Sequence, residues 1–523
     1  MSGSHTAARP SRPSSPISLA ALGEIVPGAS RFHGITAAQA RTLLLADVTH
    51  DSRDAGPGVL FAARPGERVD GHDFVADAVA AGSPAVLVQR RVDHDVPQLV
   101  TRSVSDALGA VSAAIHDHPS QELLLLGVTG TSGKTTTTYL LEAILAAAGH
   151  RTGLVGTVET RIGDTVVPGV RTTPEATDLQ RLFHTMLRAG VDAAAMEVSS
   201  HGLALGRVAG SRFAVVGFTN LSHDHLDFHD SLEEYFETKA MLFTRDYAGI
   251  GVVNVDPAAE AGDAGGAAAH GASWGRRLAD AAPIDVVTIS TAGSSADVVA
   301  EDLRLNATES RFVARLRSGV YPARVRIPGQ FNVANALLAL AMAEAAGIDA
   351  EVAVEGLAQL QGVPGRMEAV DVGQACTVLV DYAHKPDALA KVLATARGLT
   401  DGRLIVVVGC GGDRDAGKRP EMGKAAAALA DVAVLTSDNP RSEEPHAILA
   451  DMAVGANTVP DADVRLEVDR RAAIGLALDA AEAGDVVVIA GKGHETYQEL
   501  AQRTVPFDDR AVAREHLLAG GAS

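Results

Sequence analysis

The stretch Leu123-Leu124-Leu125-Leu126-Gly127-Val128-Thr129-Gly130-Thr131-Ser132-Gly133-Lys134-Thr135-Thr136-Thr137-Thr138 decides the reading of the fold. Residues 123–128 form a compact apolar run of strand length, 130–133 a glycine-bearing turn, and 135–148 carry helical periodicity. In a strand–turn–helix of this kind, backbone amides and a helix N-terminus wrap a polyphosphate. The ATP-binding segment is then Thr129, Gly130, Thr131, Ser132, Gly133, Lys134, Thr135 and Thr136, with Lys134 reaching the terminal phosphates and Thr135 ligating Mg²⁺. The spacing departs slightly from the strict P-loop, because the first glycine of G-x-x-x-x-G would fall on Val128, one residue after Gly127.

Outward from this loop, apolar strands at 193–198, 213–218 and 251–255 alternate with helical stretches such as 231–243, which predicts a doubly wound, mostly parallel sheet. Residues 258–272, rich in Ala and Gly, read as a loop. The period-two pattern at 311–316 suggests antiparallel strands within 285–327, before a helix over 332–346. Pro364 and Gly365 punctuate a boundary, after which strands at 378–381, 404–408, 432–436 and 486–490 predict another α/β domain. Short apolar segments between turns give a small α/β domain at the other end. The chain thus reads as α/β with three domains, 19–121, 122–364 and 365–523, behind a disordered tail over 1–18.

A length of 523 residues exceeds what one core supports. The formal charge of −20 argues against a surface for nucleic acid or anionic lipid, both of which need clustered Lys and Arg. With Cys376 and Cys410 as the only cysteines, there is no disulfide framework and no cysteine metal site, which fits a reducing compartment. The N-terminal stretch lacks the apolar run of a signal peptide, and no apolar run has membrane-spanning length. The expectation is a soluble, cytoplasmic protein with no membrane insertion and no nucleic-acid partner.

Two further segments sit at the carboxyl ends of predicted strands, where ligands of parallel sheets gather. Glu197 ends one strand, and His225 follows another in Asn220-Leu221-Ser222-His223-Asp224-His225-Leu226-Asp227. A hard Mg²⁺ accepts the Glu197 oxygen readily, whereas a histidine ligand leaves Mn²⁺ open. The run His223, His225, His229 tempts a zinc reading, and the plainer alternative is polar loop residues bonded to backbone. Ser199 and Ser200 lack the G-x-S-x-G elbow of a serine hydrolase.

The P-loop variant, Glu197-Val198-Ser199-Ser200-His201-Gly202, the segment ending Asp224-His225-Leu226-Asp227, Phe331-Asn332-Val333-Ala334-Asn335, Pro364-Gly365-Arg366-Met367-Glu368 and Asp381-Tyr382-Ala383-His384-Lys385-Pro386 stand in one order. Together they resemble the Mur ligase family across the central and C-terminal domains. The resemblance implies an N-terminal UDP-sugar-binding domain, a central P-loop ATPase-type domain and a C-terminal Rossmann-like domain that brings the amino acid. It implies that Asn332, Arg366 and Asp381 contact ATP, with His384 and Lys385 bordering the closed site. It places Lys134, Glu197, His225 and Lys239 in catalysis, with Thr135, Glu197, His225 and Lys239 about the metal. Lys239 stands where the family carbamylates a lysine; without the resemblance it would read as a solvated helix residue.

Within the family, Asp51-Ser52-Arg53 and the turn from Gly66 to Gly71 resemble uridine-binding segments, with Ser52, Glu67, Arg68 and Val69 as the residues concerned. Thr172, Thr173, Ser199 and Arg207 match positions that grip UDP-N-acetylmuramoyl-L-Ala-D-Glu, and Leu205 departs from a Gln found in some relatives. Asp438, Asn439, Pro440 and Arg441, with Arg414, Gly491 and Glu495, resemble the form specific for meso-diaminopimelate. There an arginine pairs with the distal carboxylate that lysine lacks. The implied reaction makes an acyl phosphate from the D-Glu carboxylate and ATP, which the amino acid then attacks while the C-terminal domain closes. Lysine addition, D-alanyl-D-alanine addition, folylpolyglutamate synthesis and a non-catalytic nucleotide switch are the competing readings.

Overall fold

The computed structural model describes residues 16–26, 31–66, 69–222, 224–225, 228–257, 273–293 and 295–520. The loop expected over 258–272, the UDP-sugar candidates Glu67 and Arg68, and the tail up to residue 15 lie outside the described residues. The chain forms two compact units. One comprises the chain up to Val255 with Ser273–Ile289 and Leu338–Gly356, and the other chiefly Ser290–Leu337 and the chain from Leu357 on.

In the first unit a small sheet runs Arg31–His33, Gln98–Val100, Ala85–Val88, Val59–Ala62, Asp47–Thr49, antiparallel at its first pair and parallel thereafter. Its strands Val59–Ala62 and Ala85–Val88 are continuously apolar because both faces are covered. Leu60, Ala62, Ala85 and Leu87 pack with helices Leu19–Ile25 and Val104–Ile115, while Phe61, Ala63, Val86 and Val88 pack with Val75 and Ala78 of helix Val75–Ala80. Ile17–Ser18, expected at the end of a disordered tail, instead pair with Leu44–Leu45. Ser18 also accepts the Ala21 amide as helix cap, so two local bonds order what composition alone marked as tail.

The larger sheet of this unit runs Thr165–Pro168, Glu159–Ile162, Thr152–Val155, Ala193–Glu197, Leu124–Thr129, Val215–Phe218, Ile250–Asn254, Asp285–Ser290. It is parallel from Thr152–Val155 onward. In its register Glu197 lies opposite Val128 and Phe218 opposite Thr129, so three strands end together at the glycine loop. The antiparallel expectation over 285–327 fails at its first strand, which is parallel because helix Trp274–Ala281 carries the chain back across the sheet.

The second unit holds the antiparallel strands Val298–Leu305, Ser310–Arg315 and Val320–Val325. Its larger sheet runs Glu368–Ala369, Thr377–Asp381, Val486–Ala490, Leu404–Cys410, Val432–Ser437, Asp463–Leu466, parallel after the first pair. Helices Arg470–Ala480 and Asp509–Gly520 pack with Val378, Val380, Ile405, Val407, Val434, Val487 and Ile489. Helices Pro386–Arg397, Lys418–Leu429 and Pro445–Ala456 also pack against this sheet. The last two approach backbone to backbone: a Cβ on Gly423 would lie 1.9 Å from the Met452 carbonyl, and one on Gly455 1.7 Å from that of Pro420.

Candidate active site

The glycine loop is held from the neighbouring strand end. Thr219 Oγ1 donates to the Ser132 carbonyl at 2.6 Å, Asn220 Nδ2 donates to the same oxygen at 3.1 Å, and the Ser132 and Thr131 amides donate to Asn220 at 3.1 and 2.9 Å. Gly130 is obligatory here, since its φ is +142° and a Cβ would fall 1.9 Å from Thr219 Oγ1. Helix Lys134–Ala147 starts at Gly133 without a side-chain cap, which presents the positive end of its dipole to the loop. Lys134 Nζ donates to the Gly130 and Thr131 carbonyls at 2.8 and 3.0 Å, folded back over the loop it would serve. Thr135 and Thr136 are buried in the first turn.

Lys239 lies in helix Leu232–Ala240 and is 1 % exposed, contrary to the solvated position its sequence alone would suggest. Its Nζ donates to the Gly130 carbonyl at 3.0 Å and lies 4.5 Å from the Tyr235 ring centre, so Lys134 and Lys239 converge on one oxygen. Glu197 is equally buried, and its carboxylate accepts the Thr157 amide at 2.9 Å and hydroxyl at 3.0 Å. His225 adopts φ +53°, with its ring 4.8 Å from that of His201 and 3.4 Å from Asp224.

Among the described residues no group of three or more His, Cys, Asp and Glu is set to hold a metal by itself. Mg²⁺ keeps waters and substrate phosphates and takes one or two protein oxygens. Thr135 and Glu197, hard oxygen donors at the ends of adjacent elements, fit this demand.

Beside Glu197 the acceptor candidates form one hydrogen-bonded group. Thr173 Oγ1 donates to the Glu197 carbonyl at 3.0 Å and lies 3.1 Å from Ser199 Oγ, which caps the next helix through the Gly202 amide. Thr172 and Thr157 hydroxyls are 2.9 Å apart. Arg207 pairs with Glu175 at 3.0 Å, as do Arg64 at 2.9 Å and Arg171 at 3.2 Å, so three guanidinium groups face one carboxylate. Glu175 is held below the usual carboxylate range despite its burial, through Arg207 and Arg64. Ser52 lies in the turn Ser52–Asp54 capped by Asp51, and Val69 is exposed.

In the second unit Asn332 is buried and donates to the Pro328 carbonyl at 2.8 Å. Asp381 accepts the Met367 and Ala383 amides, both at 2.8 Å, and its burial raises its pKa. The Arg366 guanidinium lies over the Tyr382 ring at 4.9 Å. His384 Nδ1 faces the Tyr382 carbonyl at 2.9 Å and must carry the proton there, while burial lowers its pKa to about 4. Its Nε2 is therefore a neutral acceptor at neutral pH.

Two loops at adjacent parts of the same sheet bring the amino-acid candidates together. Lys492, fully buried, donates to Asn439 Oδ1 at 3.0 Å and to Glu495 Oε2 at 2.8 Å, and Asn439 Nδ2 reaches the same Glu495 oxygen at 2.9 Å. Gly491 has φ +110° and leaves no room for a Cβ beside Asp438 Oδ2, 2.7 Å away. Burial raises Asp438. Pro440 leads to Arg441 at φ +51°, whose Nη1 donates to the Gly412 carbonyl at 2.8 Å; Arg414 is exposed and reaches the Asp413 carbonyl at 3.5 Å.

Three family profiles match the chain: "Mur ligase family, catalytic domain" over residues 45–125, "Mur ligase middle domain" over 128–343, and "Mur ligase, glutamate ligase domain" over 365–493. The chain belongs to the Mur ligase family.

Relatives of this Mur ligase include proteins named UDP-N-acetylmuramoyl-L-alanyl-D-glutamate--2,6-diaminopimelate ligase. That from Streptomyces avermitilis is 48% identical over 90% of this chain and 91% of its own, and that from Bacillus licheniformis 44% over 91% and 95%. A solved structure of a ligase with the same name is 33% identical, covers 97% of this chain and all of its own, and has a TM-score of 0.70. The MurF ligase of Thermotoga maritima, in complex with ADP, shares the fold at 20% identity and a TM-score of 0.57, covering 91% of this chain and 97% of its own.

The structure adds residues to the candidate site of this Mur ligase that the sequence did not single out. Thr157 orients Glu197, Thr219 and Asn220 hold the P-loop, Arg64 and Arg171 join Arg207 about Glu175, and Lys492 joins the two loops of the amino-acid group. Glu175 follows Thr173-Pro174 directly and Lys492 follows Gly491, so proximity to a motif was the available signal. Arg64 had none.

Proposed function

We propose that this chain joins meso-diaminopimelate to the D-Glu carboxylate of UDP-N-acetylmuramoyl-L-Ala-D-Glu with cleavage of ATP to ADP and phosphate, in the cytoplasm. The observation that carries the reading is the pairing of loop 438–441 with Gly491 to Glu495 through Lys492, which leaves the Arg441 guanidinium partly exposed in a cleft. Full-length relatives named for this reaction support the same conclusion. A guanidinium suits the distal carboxylate of diaminopimelate, and lysine offers it nothing.

In this reading the glycine loop and helix start hold the ATP phosphates, and Lys134 leaves its two carbonyls to meet the γ-phosphate. Thr173, Ser199 and the Arg207 group orient the acceptor, whose carboxylate attacks that phosphate to give an acyl phosphate and ADP. The amine of diaminopimelate attacks the activated carbonyl, and phosphate departs. His384 Nε2 or a substrate carboxylate accepts the amine proton. Thr135 and Glu197 would hold Mg²⁺, which would supply charge neutralisation at the phosphates. We assign Lys239 as a lysine carbamylated by CO₂: it is buried and converges with Lys134 on the Gly130 carbonyl, and a carbamate replaces one of two neighbouring ammonium ions with an anion.

The test is ADP release with the UDP-dipeptide and Mg²⁺, comparing meso-diaminopimelate, L-lysine and D-alanyl-D-alanine, with the product identified by mass. Diaminopimelate dependence is expected. Lysine dependence would overturn the assignment of Arg441, and acceptor-independent ADP release would overturn ligation itself. Oxygen-18 in the acceptor carboxylate should appear in phosphate, and its absence would rule out the acyl phosphate.

A further inference from the structure

The hairpin Tyr497–Leu500 and Arg503–Pro506 lays its first strand along loop 438–441. Gln498 Nε2 donates to the Asp438 carbonyl at 2.7 Å, the Glu499 amide to Asn439 Oδ1 at 3.0 Å, and the Arg441 amide to the Glu499 carbonyl at 3.0 Å. The Glu499 side chain then turns onto Arg441, with Nε and Oε2 2.6 Å apart. The two side chains are 25% and 36% exposed, and both border an open cleft of about 560 Å³ that Asp413, Ser442 and Arg503 also line.

This ion pair changes what Arg441 selects. A lone guanidinium attracts any distal carboxylate. Here an incoming carboxylate also meets the like charge of Glu499. A ligand end that carries an ammonium group next to its carboxylate answers both charges, because its carboxylate takes Arg441 while its ammonium takes Glu499. Glu495 is held otherwise, by Lys492 and Asn439.

We propose that Glu499 is a specificity-determining residue of the amino-acid site, which with Arg441 selects substrates whose distal end is itself a zwitterionic amino acid. This rests on the diaminopimelate reading above and deepens it.

The experiment compares meso-diaminopimelate with 2-aminopimelate, which keeps the chain and the distal carboxylate but lacks the distal amine, by UDP-dipeptide-dependent ADP release. The unaltered protein should prefer diaminopimelate in kcat/KM. In Glu499→Gln, nearly isosteric and uncharged, that preference should fall about tenfold, the equivalent of one lost charge contact, with KM for ATP unchanged. Glu499→Asp, which keeps the charge, should retain the preference. An unchanged ratio in Glu499→Gln, including a parallel loss with both substrates from a disturbed hairpin, would overturn the proposal alone. No diaminopimelate-dependent turnover in the unaltered protein would overturn the parent reading and this one with it.

Discussion

Lys492 shows how one buried charge can build a site. Its ammonium is fully buried and bonded to Asn439 and Glu495, so each loop's geometry depends on the other. Lys492→Met removes the cation and leaves the Glu495 carboxylate without its ion-pair partner, at a cost on the order of 3 to 5 kcal/mol. Urea unfolding should show that loss, and KM for diaminopimelate should rise at least about tenfold with little change for ATP; equal change for both would count against the assignment. His384 gives a pH signature. Its folded pKa near 4 lies below the ordinary histidine value of 6.5, so the unfolded chain binds more protons between those values. Its contribution is therefore constant above pH 6.5 and is lost as pH falls towards 4, by up to about 3 kcal/mol. Melting temperatures of the unaltered protein and His384→Gln should converge over that window. Parallel curves would refute the buried neutral imidazole.

At the scale of elements, the close crossing of helices Lys418–Leu429 and Pro445–Ala456 depends on two glycines. Gly455→Ala places a methyl group inside the contact distance of the Pro420 carbonyl, and the helices must separate. The expected loss is about 1 to 3 kcal/mol by denaturant unfolding, and a loss below about half a kcal/mol would show that the crossing relaxes freely. The buried parallel strands Leu124–Thr129, Ala193–Glu197, Val215–Phe218 and Ile250–Asn254, and Thr377–Asp381, Leu404–Cys410, Val432–Ser437 and Val486–Ala490 of the other sheet, were legible because a strand covered on both faces is an uninterrupted apolar run. Asp463–Leu466 was not, since this edge strand alternates Asp, Val, Arg and Leu and stays half exposed. The hairpins Glu159–Ile162 with Thr165–Pro168 and Tyr497–Leu500 with Arg503–Pro506 escaped for the same reason, being short and partly polar.

For the whole molecule, the division into two compact units predicts more than one calorimetric transition. The UDP-dipeptide candidates lie in the first unit and the amino-acid candidates in the second, so each ligand should raise a different transition. At one hundred times Kd the gain is about 2.7 kcal/mol. A single transition raised equally by both ligands would contradict this. The charge of −20 predicts no retention on DNA at physiological salt, and among the described residues no helix is long and apolar enough to cross a membrane.

By itself the sequence determined the α/β class, the glycine loop and the family, because these rest on local patterns: an apolar run, a turn that only glycine permits, and fixed spacings that follow it. It also marked Arg441 and Glu495 through their short motifs. Tertiary structure alone decided that Lys239 is buried against Gly130, that Arg64 joins Arg207 at Glu175, and that Glu499 pairs with Arg441. These partners stand tens to more than a hundred residues apart, and a side chain's charge partner depends on which strand ends the sheet brings together, which no local pattern encodes.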